Sequence, residues 1–495
     1  MVNVGLLAQQ KQWLEQVYPV ALNGNRSNIL FLYRLPGNVD RMLLQSAIRE
    51  VWSSQPALRA YFHPSADGWQ QCFSEPSHSV PYREIDLSTL ERKVQQRVMV
   101  EMAAELDATL DLMHGPLARF VLFNLGEDRP PRLLAIIHHI VSDAASIGVI
   151  ERQIERAYRH HLTGQQSLAL KVAPYRECIQ QINTYASSAE MAKELDFWIR
   201  QPWERFAALV SGRSRVDSVP IYHLGEVSRR IALQLSSSSI LSRDDAIASR
   251  DVIMAAVSDV FTSTAGGDIA LQTAHNGRTL RWISGDGTTP ELEKTAARQR
   301  PILPAGVMQT VGFFSVAAVN FMPSRGSASI REYALNVRKC VSSIPNEGAG
   351  YGLLRWLGYP QVIQQRVEIS GLEPWFSLNH IVQQSASSAP VGVGEADGHS
   401  LDHISPDTNP LERSPRFTEV SPRSFRREFL RRAESLPFHR DAFNPHPPLR
   451  LTIVEAEATV DLIARYDTKL FDREDIKQLV DRCADALFQY CSELS

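Results

Sequence analysis

Two adjacent histidines, followed after a short gap by an aspartate, are the residues of this sequence best suited to chemistry. They lie in the stretch His138-His139-Ile-Val-Ser-Asp143, directly after the apolar run LLAII. That run predicts a strand, and because side chains alternate along a strand, the two rings should point to opposite faces of the sheet. One imidazole can then face a cleft while the other packs. An imidazole with a pKa near neutrality can accept a proton from an amine or hydroxyl that attacks a thioester.

The same residues have a second interpretation that the sequence leaves open. Both histidines can be core residues, and Asp143 can be the N-cap of the helix that follows. A zinc site is not indicated, since this spacing lacks the histidine pair four residues apart and the third ligand of zinc-binding helices.

The composition of the chain excludes several classes of protein. The 495 residues carry 52 basic and 55 acidic side chains, a net charge of −3, so the overall charge does not indicate nucleic-acid binding. Apolar residues make up 44% of the chain, as in folded proteins. The five scattered cysteines form neither a disulfide framework nor a metal-binding pattern.

The distribution of apolar residues predicts a soluble, cytoplasmic protein. The first residues lack the features of a secretory signal. The longest apolar runs, LLAIIHHIV and VGFFSVAAVNFM, are shorter than the roughly 20 residues of a membrane-spanning helix.

Periodicity predicts an α/β protein in which helices alternate with strands. Arg132–Ile140 is expected to be a strand and Ala144–His161 the helix after it. A helix over Leu90–Leu106 should be capped by Ser88, and Thr184–Arg200 should form one helix. Val311–Phe321 is expected to be a buried strand throughout.

One long segment, Gln384–Pro448, interrupts this pattern, and we expect it to be a flexible insertion. It is rich in Ser, Pro, Arg and His, and its part from Arg413 to Arg440 has eight arginines and three glutamates. Such an excess of positive charge is typical of a solvated face, and it also suits the docking of an acidic partner.

The stretch HHIVSDA resembles the HHxxxDG signature of the condensation domains of nonribosomal peptide synthetases. Other segments similar to that family follow the family's order, over about residues 7–490 outside the insertion: Leu58-Arg59, Leu110–Arg119, Asn276-Gly277-Arg278, Val311–Ser315, Ile344–Leu354 and Tyr466–Asp472.

The resemblance implies a fold of two chloramphenicol-acetyltransferase-like lobes, a V-shaped pseudo-dimer with a central tunnel. We expect residues 1–175 to form the N-terminal lobe with the signature, and residues 176–495 the C-terminal lobe. In this family, acyl- or peptidyl-carrier proteins deliver substrates on phosphopantetheine arms. We therefore expect no metal and no cofactor bound by the chain itself, and no nucleic acid or membrane as partner.

The resemblance also implies roles for individual residues. His139 is the expected catalytic residue and His138 a structural one. Asp143 is expected to form an ion pair with Arg278 that shapes the site. Ala144 replaces the family's usual glycine, and its methyl group should narrow the tunnel slightly.

Three further residues are expected at the tunnel or the substrate: Arg59, Gly312 and Ser315. The hydroxyl of Ser315 can contact an oxyanion or the acceptor, or it can be an ordinary buried strand hydroxyl.

Within the family, the sequence favours condensation over epimerisation. GYGLL and VGFFS resemble the epimerisation branch, but Leu271–Gly277 contains no carboxylate to act as a second base. No adenylation or carrier sequence follows, so we expect a stand-alone enzyme that meets its carrier in trans. It should transfer an acyl, polyketide or peptidyl chain to a hydroxyl or amine, on a small molecule or a second carrier, and release the product. A degenerate recruitment module and a coenzyme-A-dependent acyltransferase are the alternatives.

Overall fold

The computed structural model describes residues 4–18, 27–66, 68–76, 80–164, 171–201, 224–233, 248–283, 299–363, 376–382, 418–419, 448–455 and 459–494. Of the expected insertion Gln384–Pro448, only Thr418, Glu419 and Pro448 fall within these ranges. The arginine-rich docking surface and the flexibility expected for this segment therefore lie outside the described residues.

A five-stranded sheet forms the centre of the N-terminal half. Its strands are β1 (Asn28–Arg34), β4 (Tyr82–Asp86), β5 (Ala118–Asn124), β6 (Arg132–His138) and β13 (Thr418–Glu419), in the order β13-β1-β6-β5-β4. The strands β2 (Ala60–Ser65) and β3 (Gly68–Phe73) form a separate hairpin. In the antiparallel pair β1–β6, Asn28 lies opposite His138, so the predicted signature begins at the end of a central strand.

Helices cover both faces of this sheet, which explains the unbroken apolar run LLAII. The helices α2 (Arg41–Ser54) and α4 (Ala144–Thr163) pack on the face that bears Leu133, Ala135 and Ile137. The helix α3 (Arg92–Asp107) packs on the opposite face, against Leu134 and Ile136. Because successive side chains of β6 alternate between two covered faces, both sets must be apolar.

Short helices complete the first core. They are α1 (Ala8–Gln12), α5 (Tyr175–Ala186), α6 (Ala189–Ile199) and α9 (Ala349–Leu353), and their buried side chains belong to the same apolar cluster as α2 and α4. The helix α5 begins at Tyr175, and its buried side chains belong to the same core as those of the N-terminal half. The boundary between two lobes after residue 175 stays a prediction.

A six-stranded sheet forms the centre of the C-terminal half. Its strands are β7 (Leu224–Ile231), β8 (Ile269–His275), β11 (Val316–Met322), β12 (Phe376–Val382), β14 (Leu449–Glu455) and β15 (Val460–Asp467), in the order β11-β8-β12-β14-β15-β7. The helices α7 (Ser249–Ala265), α8 (Ile330–Ser343) and α10 (Arg473–Leu494) pack on one face and form a second apolar core with it. The strands β9 (Arg281–Ile283) and β10 (Gln299–Pro301) pair separately.

Two local predictions about helices are wrong. Ser88 does not cap α3, which begins at Arg92 after Glu91, and the backbone N–H of Ser88 donates to Asp86. The single helix expected over Thr184–Arg200 is the two helices α5 and α6. The break occurs because the side chain of Ser188 accepts a hydrogen bond from the N–H of Met191 and starts a new helix.

Candidate active site

His139 lies at the point where β6 gives way to a helical turn. The turn spans His139–Val141, and the N–H of His139 donates to the carbonyl of Ser27 at 2.7 Å. Its imidazole is half-buried, with its ring centre 4.6 Å from that of Phe313. Burial lowers the pKa of His139 below its ordinary value of 6.5, and it outweighs backbone hydrogen bonding and the charge of Asp143, which both raise the pKa. The positive charge of Arg450 lowers it by a smaller amount. The ring is therefore held in its neutral form, which can accept a proton.

His138 has the structural position that the resemblance implies. Its side chain is fully buried, and its Nδ1 accepts a hydrogen bond from the N–H of Ile140 at 3.0 Å. The ring packs perpendicular to that of Trp13 in a T-shaped contact, with centres 5.0 Å apart. These contacts fix the turn that carries the neighbouring His139.

A buried glutamine that the sequence analysis missed holds the same turn from the other side. Nε2 of Gln10 donates to the carbonyl of Ile140 at 3.0 Å and to the hydroxyl of Tyr175 at 3.3 Å. Gln10 is 130 residues from its main-chain partner, so no local pattern could have revealed the contact.

The carboxylate of Asp143 is occupied by hydrogen bonds on both oxygens. Oδ1 accepts from the N–H and the hydroxyl of Ser146, each at 2.8 Å, so Asp143 caps α4. Oδ2 accepts from Arg278 at 2.7 Å and from the N–H groups of Phe314 and Ser315 at 3.0 and 3.1 Å. A carboxylate bound in this way organises the site, and because both oxygens are occupied it is not placed to transfer a proton.

The ion pair predicted between Asp143 and Arg278 is present, and both side chains are 1% exposed. The second guanidinium nitrogen donates to the hydroxyl of Ser146 at 2.9 Å and to the carbonyls of Thr310 and Gly312 at 3.1 and 3.3 Å. Arg278 thereby fastens residues 310–315 to the first turn of α4.

The first half of the strand expected over Val311–Phe321 is a loop, because side chains occupy its backbone N–H groups. The N–H of Val311 donates to Gln55 at 2.9 Å and that of Gly312 to Ser146 at 3.0 Å. Asp143 accepts hydrogen bonds from the N–H groups of Phe314 and Ser315. Regular pairing with a neighbouring strand begins only at Val316, in β11.

Gly312 and Ser315 lie in this loop and bind Arg278, Ser146 and Asp143. Their expected place at a substrate tunnel stays a prediction. A Cβ atom on Gly312 would lie 2.6 Å from ring atoms of both Phe314 and Tyr175, so the glycine is required by packing. The hydroxyl of Ser315 lies 3.4 Å from Oδ2 of Asp143.

Arg59 binds backbone carbonyls near the end of α2, and its expected role at the substrate stays a prediction. Its buried guanidinium donates to the carbonyls of Trp52 and Ser53 near the end of α2, and to that of Ser74. An arginine in this position satisfies carbonyls that the end of a helix leaves open.

Ala144, by contrast, is exposed at the first residue of α4, directly after Asp143. It is not one of the non-glycine residues with a positive φ, so its methyl group introduces no backbone strain at the position where the family has glycine.

Within the described ranges, no group of three or more histidine, cysteine, aspartate or glutamate side chains is arranged to hold a metal. No helix in those ranges has the length and apolar character needed to cross a membrane. The imidazole of His139 has a lowered pKa, so its neutral form can act as a general base.

Comparison with known sequences gives the same family as the motifs. Residues 7–211 match the family model of the condensation domain. Two components of the linear gramicidin synthase of Brevibacillus parabrevis are among the similar proteins, one 27% identical over 344 residues and the other 25% identical over 411 residues. These matches cover 66% and 82% of the chain, which spans only 4% and 8% of the two relatives.

Solved structures share the fold along almost the whole chain. The epimerization domain from the third module of tyrocidine synthetase B aligns with a TM-score of 0.71 at 18% identity, covering 100% of this chain and 97% of that one. The first condensation domain of the calcium-dependent antibiotic synthetase, in complex with a substrate analogue, aligns with a TM-score of 0.62 at 18% identity, covering 98% and 95%. The starter condensation domain of rhizomide synthetase gives 0.64 at 16% identity, covering 99% and 97%.

The expected fold class is therefore confirmed as the α/β fold of condensation domains, and residues 7–211 belong to the condensation-domain family.

Proposed function

We propose that this chain transfers an acyl, polyketide or peptidyl chain from the phosphopantetheine thioester of a carrier protein to a hydroxyl or amine. The observation that carries the proposal is the half-buried ring of His139, kept neutral by its surroundings, beside a carboxylate already saturated by Arg278 and backbone N–H groups.

In this mechanism His139 is the general base. Its Nδ1 is buried, and its Nε2 would receive the proton of the acceptor. As the acceptor oxygen or nitrogen attacks the thioester carbon, its proton moves to the imidazole, and the new ester or amide bond forms. The carbon–sulfur bond then breaks, and the imidazolium returns the proton to the departing thiolate of pantetheine. A neutral amine is a good nucleophile before it loses a proton, whereas a hydroxyl is a poor one, so an alcohol acceptor depends more on this base.

An epimerase is the second candidate, because an epimerization domain shares the fold along the whole chain. The residues at the end of β8 argue against an epimerase. Ala274 and His275 occupy the positions before Asn276-Gly277-Arg278, so no carboxylate stands there to serve as a second base.

An assay of an acyl-loaded carrier separates these candidates. We expect intact-protein mass spectrometry to show loss of the acyl group from a separately supplied carrier only when both this protein and an acceptor are present. Deuterium uptake at the α-carbon of a carrier-bound aminoacyl group in D₂O, without transfer, would favour the epimerase. Transfer from acyl-coenzyme A with no carrier would favour the wider acyltransferase class, and inactivity with every donor would favour a recruitment module.

The pH profile of transfer follows from the environment of His139. Because burial lowers the pKa of this ring below 6.5, the neutral base should persist as the pH falls from about 8 to below that value. With a hydroxyl acceptor, which does not itself titrate in this range, kcat/KM should be flat near neutral pH and decline only below about 6.5. An acid limb with its midpoint above 7 would contradict the environment described for His139.

A further inference from the structure

The imidazole of His139 packs against an aromatic side chain from a distant part of the chain. The ring of Phe313 lies on it with centres 4.6 Å apart and planes inclined by 52°. Phe313 is only 9% exposed, so the contact between the two rings is largely shielded from water. The candidate base therefore has one face covered by a residue of the 310–315 loop.

The main chain on both sides of Phe313 is fixed by hydrogen bonds. Before it, the N–H of Gly312 donates to the hydroxyl of Ser146 at 3.0 Å. After it, the N–H of Phe314 donates to Oδ2 of Asp143 at 3.0 Å. Both acceptors belong to the start of α4. Since the loop cannot shift without breaking these bonds, the start of α4 sets the position of the Phe313 ring.

The ring of the next residue, Phe314, anchors the same loop in the core. The guanidinium carbon of Arg278 lies over this ring, 4.5 Å from its centre. The ring of Tyr175 meets it in a T-shaped contact, with centres 5.8 Å apart. The two adjacent phenylalanines thus have different environments, because Phe314 is held between core residues whereas Phe313 packs on the imidazole.

Packing on one face has two physical consequences for a histidine. The χ2 torsion of an imidazole has broad minima, so a ring without close neighbours samples a wide range of orientations. A general base must keep its accepting nitrogen within about 3 Å of the proton donor, and a ring covered on one face is restricted in this rotation. The same contact excludes water from that face, in agreement with the burial that lowers the pKa of His139.

We propose that Phe313 is a positioning residue for the transfer reaction, whose ring fixes the orientation of the His139 imidazole and shields it from water. The ion pair between Asp143 and Arg278 then acts on the reaction through Phe313. It does so because Asp143 binds the N–H of Phe314 and Arg278 binds the carbonyl of Gly312. This inference rests on the proposed function for its chemistry, but the contact between the rings can be measured in the resting protein.

The first test needs no substrate. In protein with labelled histidine and phenylalanine, NMR should show nuclear Overhauser contacts between the rings of His139 and Phe313, and a pH series gives the pKa of His139. The charged groups acting on this ring are Asp143 and Arg450, which the variants leave in place. Phe313→Ala should raise the pKa of His139 towards 6.5, because water reaches the uncovered face. Phe313→Leu should keep the pKa low, because leucine still covers the ring.

The second test is kinetic. Phe313→Ala should lower kcat by about 10- to 100-fold with little change in KM, as expected when a reacting group is misplaced. Its acid limb in the pH profile should also move to higher pH. Phe313→Leu should recover part of the loss in kcat.

Phe261→Leu is the matched control, because Phe261 packs on Phe376 in the second core with similar geometry, centres 5.0 Å apart and planes inclined by 50°. It should lower stability without changing the pKa of His139 or kcat. If Phe313→Ala likewise lowers stability alone, or leaves the pKa of His139 unchanged, the proposal is overturned, and the proposed function still stands. If the wild type shows no transfer, the proposed function fails, and the NMR test still decides the role of Phe313.

A double-variant cycle tests the link to the ion pair. Arg278→Lys should lower kcat in the wild-type background by loosening the loop that carries Phe313. In the Phe313→Ala background the same change should cost much less, because the ring that transmits the effect is already absent. Equal losses in the two backgrounds would show that Arg278 does not act through Phe313.

Discussion

Replacing His139 with alanine should lower the rate of acyl transfer by about 10²- to 10⁴-fold. The half-buried, neutral imidazole is the group placed to accept the acceptor's proton, and Asp143 cannot substitute because hydrogen bonds occupy both of its oxygens. Single-turnover measurements with an acyl-loaded carrier isolate this step from carrier dissociation.

His138→Ala is the matched control for this experiment. It removes the adjacent ring, which is fully buried and lies within the turn and against Trp13, so the expected effect is a loss of stability or soluble yield. A His139→Ala protein that retained wild-type turnover would exclude His139 as the base. A loss of less than about tenfold, with the pH profile unchanged, would instead assign it a role in holding the acceptor.

Breaking the ion pair between Asp143 and Arg278 should be strongly destabilising. Asp143→Ala or Arg278→Ala leaves a charge buried without its partner, which costs about 3–5 kcal/mol. The double variant should cost much less than the sum of the two single variants, because no charge is then left unpaired. Free energies of unfolding from urea titrations of the three variants test this coupling.

Arg159→Ala provides a matched control on the same helix. Arg159 pairs with Glu155 on α4 at 2.6 Å, but both side chains are partly exposed, so its removal should cost under about 1 kcal/mol. Additive losses for Asp143 and Arg278 would show that the two residues do not act as one unit.

Several elements follow directly from the amino-acid sequence, because their surroundings are simple. The run LLAII is a strand because both of its faces lie against helices, and Arg473–Leu494 is helical over its full length because one apolar stripe faces the second core. Asp40 caps α2 as a residue of its type should. The signature at the end of β6 was visible in the residues themselves, and its resemblance to a family supplied the pairing of Asp143 with Arg278.

The partners of the remaining polar groups depend on how distant parts of the chain pack together. The apolar stretch from Val311 suggests a strand, yet its first residues form a loop, since Gln55, Ser146 and Asp143 from the other half of the chain accept its N–H groups. Arg59 binds carbonyls near the end of a helix, and Gly312 is required by packing. Gln10 supports the turn at His139 across 130 residues. The periodicity of apolar residues shows which faces of a helix or strand are covered. A hydrogen bond between distant residues depends on how the elements pack together, so such a bond leaves no local pattern in the sequence.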